Sequence, residues 1–442
     1  MSDSSLPPES GSDHPPAAGL TPSADAPKLP VDPAIMALKR RQHGLIFLTV
    51  LIDLIGFGIL IPVIQPIAES LGAPVWIATV LMGVYSLMQF IFSPVLGRLS
   101  DRVGRVPVLV MSLWASVGGY LIMSLAVSGW VAPFFGIVLL FTARIITGIG
   151  GASISTAQSY LSDITAPEKR AGVMGMIGAA FGLGFMIGPV LGGLLSHWGG
   201  RPAPFLFAAG LSLVNVLYMV RRLPETLPPE KRGTSPTAPS VFAVALANRG
   251  TALPSVLLAN FLVIGAFSTM TAAFVLFLKN HQAFQFDEIH IGYCFGFIGI
   301  VGVIIQGGII RKIAKNNNEG SLALTGLLLM VISMLWLPFT TPWLILILNM
   351  WLMAAGNSLT SPCLNTLASR CGSLRTQGLT MGAMAGAGSL GRFFGALLAG
   401  PLLMLNQQDA SQYGRYAFLA AAVIMALAAI PLRAAARIPP VQ

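Results

Sequence analysis

The sequence is short of charge. Asp, Glu, Lys and Arg make up 10% of its 442 residues, against roughly 25% in a soluble domain, and that supply cannot cover a water-facing surface. Cysteine is nearly absent. Cys294, Cys363 and Cys371 form an odd set without metal-ligand spacing, so no disulfide framework and no metal site are expected. The five histidines are scattered over the chain, at 14, 43, 197, 281 and 290. There is no phosphate-binding loop, no dinucleotide-binding glycine turn after a strand and no nucleophilic serine elbow. An enzyme or an ATP-driven machine has no support in the sequence, and no cofactor is expected.

What fills the chain is apolar. Hydrophobic residues make up 55% of it and the mean hydropathy is +0.77. Apolar runs recur near the roughly 20 residues that cross hydrocarbon, at about 43–70, 75–97, 106–128, 132–160, 169–197, 203–223, 252–278, 289–311, 320–338, 342–369, 376–405 and 413–432. The expected class is an all-α membrane protein of twelve transmembrane helices in two pseudo-symmetric six-helix bundles. Residues 1–42, with eight prolines before position 34, read as a disordered cytoplasmic arm. The bundles are expected at 43–223 and 252–437, joined by a polar, proline-rich cytoplasmic linker at 224–251 and followed by a tail at 438–442.

A net charge of +10 raises the question of a nucleic-acid partner. The distribution answers it. With both termini inside, 21 of the 26 Lys and Arg residues fall in segments on one side of the twelve spans, which is the bias that orients membrane proteins in a cell's inner (plasma) membrane. The bilayer is the expected partner, no nucleic acid is, and a monomer is expected.

A trace of duplication supports two halves. Gly175, Gly184, Gly188 and Gly193 in the fifth span recur, at a constant offset of 207, as Gly382, Gly391, Gly395 and Gly400 in the eleventh. With 48 glycines in the chain, chance could contribute to this match. Its occurrence in equivalent spans favours duplication, as is common in secondary transporters.

Several motifs carry mechanism. The loop after the second span reads Gly97-Arg98-Leu99-Ser100-Asp101-Arg102-Val103-Gly104-Arg105-Val106-Pro107. Gly97 suits close helix approach, and Asp101 suits the positive end of a neighbouring helix, with Arg102 and Arg105 able to pair with it across the bundle seam. The fourth span holds Arg144 in Arg144-Ile-Ile-Thr147-Gly148, an ion that costs about 2.5–3.5 kcal/mol at mid-helix. The fifth span carries Gly175, Gly184, Gly188-Pro189 and Gly192-Gly193. The first reads Asp53-Leu-Ile-Gly56-Phe-Gly58-Ile-Leu-Ile-Pro62.

Together these four motifs resemble the major facilitator superfamily, and within it the drug:proton antiporter-1 group that includes tetracycline-resistance transporters. The resemblance implies the major facilitator fold and secondary transport by rocking of the halves. It implies a conformational latch for Gly97, Asp101, Arg102, Gly104 and Arg105, and proton coupling for Arg144. The Gly175 to Gly193 motif is the one associated with exporters. A further acid usual in the third span is replaced by the stretch Ser116-Val-Gly-Gly-Tyr120, which argues against tetracycline itself as cargo. The second half keeps only a degenerate loop, with Arg311 where Asp101 stands.

Asp53 is the one acid deep within a span, so it is the expected proton carrier. Its expected device is an ion pair with Arg144 that forms in one state and breaks in the other, with a static structural pair as the alternative. For Arg392 three readings are open: snorkelling, bonding to backbone carbonyls, or presenting a charge to an anionic substrate. Gln65, Gln158, Asn260, Thr269, Asn357 and Ser358 are candidate cavity residues, although buried polar groups of this kind more often bond neighbouring helices. The expected function is proton-coupled export of small amphiphilic molecules. A facilitator, a proton symporter and a non-transporting receptor are the alternatives.

Overall fold

Hydrocarbon offers no partner to a backbone N–H or C=O, so each apolar run can cross it only by closing its own hydrogen bonds, as a helix does. The computed structural model describes residues 33–166, 170–233, 241–309, 319–371 and 377–437. Two compact units divide the chain at Arg41 and Gln42. In the first, residues 33–41 are described and form the opening turns of a helix; residues 1–32 of the expected arm lie outside the described residues, as do the tail and Arg311.

In the first half, α1 (Pro33–Leu60) and α2 (Ile64–Ser70) make the first span. They are followed by α3 (Val75–Val103), α4 (Arg105–Ala126), α5 (Pro133–Gly151) with α6 (Ile154–Ile164), α7 (Arg170–Gly199) and α8 (Ala203–Arg222). A short helix, α9 (Val241–Ala247), leads into the second half, which holds α10 (Leu253–Asn280), α11 (Glu288–Ile304), α12 (Glu319–Trp336), α13 (Trp343–Cys371), α14 (Gln377–Met404) and α15 (Arg415–Leu427) with α16 (Ala429–Arg437). Eleven of these spans are long and apolar enough to cross a membrane. The remaining one, α11, has 17 residues and continues as a π-helical turn at Ile305–Ile309. Large apolar side chains face outward without cover, among them Phe134 at 70% exposure and Leu344 at 80%, as a lipid-facing surface requires.

The two halves break their helices differently. Pro62 has no N–H to give, so α1 stops at Leu60 and residues 61–63 form a turn. Thr269 stands 207 positions on, and α10 runs through it unbroken. The linker is also more structured than its composition suggests: the apolar run Val241-Phe-Ala-Val-Ala-Leu-Ala forms α9 and packs on α10 and α14.

The glycine repeat is a repeat of contacts. A Cβ on Gly184 would lie 2.6 Å from Leu54 Cβ, and one on Gly188 2.6 Å from Gly58 Cα. At the same offset of 207, a Cβ on Gly391 would lie 2.5 Å from the Phe261 carbonyl oxygen, and one on Gly395 would run into the Gly265 carbonyl. The first span therefore packs on the fifth in the register in which the seventh packs on the eleventh. Without side chains, the backbones of each pair approach closely enough to interlock.

Two further pairs, α3 with α14 and α7 with α11, join the halves. Toward the end that carries Glu69 and Lys279 they touch backbone to backbone: Gly193 meets Glu288, Gly292 meets Pro189, and Gly400 meets Trp76. Toward the end that carries the Gly97 to Pro107 loop, a Cβ on Gly97, Gly178, Gly182, Gly378 or Gly382 would meet nothing within 4 Å. Among the described residues the bundles are closed at one end and parted at the other. Gly97 accordingly makes no close helix contact in this state, contrary to the expectation from sequence, because the space beside it is open.

Candidate functional site

Asp53 and Arg144 occupy the middle of the first bundle. Asp53 is half-buried on α1, and its Oδ1 is buried with no hydrogen-bond partner. Arg144, on α5, is 1% exposed. Its Nε donates to the Leu81 carbonyl at 3.1 Å and its Nη2 to the Met82 carbonyl at 3.2 Å, both on α3. The guanidinium also lies 5.0 Å from the Tyr85 ring centroid and 5.8 Å from that of Phe57. Carbonyl dipoles and aromatic faces thus stand where a carboxylate would. Among the described residues no ion pair joins Arg144 to Asp53, so this conformation is one in which the expected pair is apart.

Gly56 and Gly151 make room for this arrangement. A Cβ on Gly56 would run into the Tyr120 hydroxyl, and one on Gly151 into that of Tyr85. The aromatic residues pack in series: Tyr85 lies 4.9 Å from Phe57, and Phe57 lies 5.7 Å from Phe185. Phe185 also lines a cavity of about 80 Å³ between the halves, with Phe267, Phe295, Ile298, Asn357 and Ser358. An apolar path therefore leads from the buried arginine to the cavity wall.

Arg392 crosses the seam. Its Nη2 donates to Gln89 Oε1 at 2.8 Å and to Ser389 Oγ at 2.9 Å, while Gln89 Nε2 donates to the Gly151 carbonyl at 3.1 Å. Among the described residues it has no acidic partner. The charge from the second half is therefore held by an amide and a hydroxyl.

The other expected cavity residues do not share one place. Asn357 and Ser358 line the cavity. Asn260 Nδ2 instead donates to the Met384 carbonyl at 2.9 Å, and Thr269 Oγ1 to the Gly395 carbonyl at 3.0 Å, tying α10 to α14. Gln65 is fully buried, with neither amide atom partnered. Gln158 sits half-buried on α6.

At the open end the Gly97 to Pro107 loop is bound within its own half. Arg105 pairs with Asp101 at 2.5 Å and with Asp163 at 3.2 Å. Glu225, from the start of the linker, accepts the backbone N–H of Arg105 at 2.9 Å and of Val106 at 3.0 Å, capping α4. Gly104 has a φ of +114°, and a Cβ there would strike Glu225 Oε2, so glycine is required on both counts. Burial would raise the Glu225 carboxyl, but four backbone N–H donors outweigh it and hold it below the usual carboxylate range. Arg102 is exposed. The Asp101 and Arg105 pair thus lies inside the loop, not across the seam as the motif suggests, because the seam is parted here. Gln89, Ser389, Tyr85, Asp163 and Glu225 were not singled out from the sequence, since polar and aromatic residues at helical spacing carry no signal until the helices are packed.

Two six-helix bundles around a cavity between them, with buried ions and a seam closed at one end only, define a membrane transporter. The chain belongs to the Major Facilitator Superfamily, which it matches over residues 46–396. It is 31% identical over 354 residues to the class C tetracycline resistance protein of Escherichia coli, covering 79% of this chain and 86% of that one. It is 30% identical over 412 residues to major facilitator superfamily domain-containing protein 10 of Bos taurus, covering 82% and 87%. The crystal structure of the human organic anion transporter MFSD10 superposes with a TM-score of 0.68 at 26% identity, over 89% of this chain and 99% of that one. A bacterial homologue of the lysosomal transporter Spinster, at 15% identity and a TM-score of 0.73 over 92% and 98%, shares the fold.

Proposed function

We propose that this transporter is a proton-coupled antiporter that exports small amphiphilic molecules, with Asp53 as the proton carrier. The carrying observation is the buried, unpartnered Asp53 Oδ1, in the same bundle as a buried arginine that is bonded to backbone carbonyls and not to it. A carboxylate left without donor or cation is costly to bury and a proton removes that cost; a shift of α1 against α5 within the first bundle, coupled to the rocking of the halves, brings Arg144 to it and releases the proton. The rocking parts the closed end and joins the open one. With the positive-inside bias, the open end faces the cytoplasm, both termini lie there, and the chain works as a monomer in the inner (plasma) membrane.

The test is Asp53→Asn in vesicles with an imposed pH gradient. Proton-driven efflux is expected to stop, and a protonophore is expected to abolish it in the parent protein. Undiminished efflux in the variant sinks the assignment. The charge of the cargo has its own support: Arg144 and Arg392 both lack a carboxylate partner among the described residues, which favours an anionic amphiphile, as does similarity to a human organic anion transporter.

A further inference from the structure

We propose that the proton on Asp53 is held between its carboxyl group and the backbone carbonyl of Ile177 on α7. This rests on the reading of Asp53 as the proton carrier and specifies what the proton bonds to.

The argument comes from the internal repeat. Asp53 and Asn260 stand 207 positions apart, as do Ile177 and Met384. The Leu54 to Gly184 and Gly58 to Gly188 contacts of the first half recur at that offset as Phe261 to Gly391 and Gly265 to Gly395. The two helix pairs therefore share one register. In the second half Asn260 Nδ2 donates to the Met384 carbonyl at 2.9 Å, across the α10 and α14 interface. The equivalent bond in the first half would run from residue 53 to the carbonyl of residue 177. Ile177 is buried there in one apolar cluster with Val50 and Leu54, which flank Asp53 along α1.

Asparagine and protonated aspartic acid have nearly the same shape, and each has one oxygen acceptor and a donor on the other atom. An ionised aspartate accepts only. Asn260 is thus a permanent copy of the protonated state. A helical carbonyl carries a second lone pair and can accept such a donor without losing its own ladder bond. Protonation of Asp53 adds a bond that pins α1 to α7; ionisation removes the donor, sets a carboxylate oxygen against a carbonyl oxygen, and releases α1. The proton is lost to the space between the bundles, and the second half, with its fixed amide, does not respond. Only one half of the duplicated pair is proton-sensitive.

The experiment is hydrogen exchange on the purified full-length protein, read over residues 46–60 and 253–267 at acid and alkaline pH and corrected for intrinsic rates. In the parent, exchange over 46–60 should slow on acidification by about fivefold, the equivalent of one net hydrogen bond, while 253–267 stays constant. Asp53→Asn should give the slow rate at both pH values and Asp53→Leu the fast rate at both. Asn260→Asp should transfer pH dependence to 253–267. If Asp53→Leu protects as well as Asp53→Asn, loss of charge and not the bond is responsible, and the proposal fails. It also fails if Asn260→Asp gains no pH dependence, an arm that stands even where Asp53 variants do not fold. Failure here with loss of efflux in Asp53→Asn leaves proton coupling intact; retained efflux in Asp53→Asn overturns the coupling itself.

Discussion

Lys279 donates to the Glu69 carboxylate at 2.9 Å, and the two residues belong to different halves. Among ion pairs between described residues, this is the one that joins the bundles. It lies at the closed end, beside a cavity of about 240 Å³ lined by Asn280, Gln407 and Tyr413. Opening that end must break it.

Lys279→Ala is therefore expected to favour the state opened at that end. The pair is partly exposed, at 32% and 19%, so its worth is at most about 1 kcal/mol. That corresponds to a shift of about fivefold in the conformational ratio, readable as spin-label distances across the closed end. The charge swap Glu69→Lys with Lys279→Glu should restore the parent distribution, and a single variant with unchanged distances would remove the pair from the gate.

Gly188→Val and Gly395→Val should each destabilise the protein by about 1–3 kcal/mol, the cost of overpacking. Their Cβ atoms meet the backbones of Gly58 and Gly265 respectively, which cannot give way as a side chain can. Gly182→Ala, with nothing within 4 Å, should be tolerated. Thermal unfolding of the three variants checks the ordering.

Glu225 gives a pH signature. Its folded-state pKa is depressed, so its stabilisation is complete above the ordinary glutamate range and is lost as pH falls through the folded value. The stability difference between the parent and Glu225→Gln should be largest at neutral pH and vanish in acid. A difference that grows toward low pH in thermal melts would contradict the capping role.

Arg392→Gln should weaken binding of an organic anion by about tenfold or more, as loss of a charged hydrogen bond does, and leave a neutral analogue unaffected. Titration calorimetry on purified protein distinguishes the two. Equal affinity for the anion in parent and variant would confine Arg392 to its bonds with Gln89 and Ser389.

The twelve spans, their division into halves and the family were legible in the chain because each depends on local quantities: run length, charge and motif spacing. The 207-residue offset was legible too, though only as a pattern of glycines. What those glycines touch was not, since an approach of two backbones is a property of two helices at once. The same holds for Asp53 and Arg144. Their rarity in an apolar chain marked them as functional candidates, but whether they meet depends on the state of the bundles.

By itself the sequence determined a membrane transporter with an acid in its first span and arginines in its fourth and eleventh. Insertion of each helix is governed by its own residues, so composition suffices. The tertiary structure alone decided that Arg144 rests on carbonyls and aromatic rings, that Arg392 reaches Gln89 across the seam, and that the bundles close at the Glu69 and Lys279 end. Those contacts arise between helices far apart in the chain, where the packing of helices within each bundle and of one bundle on the other sets every distance.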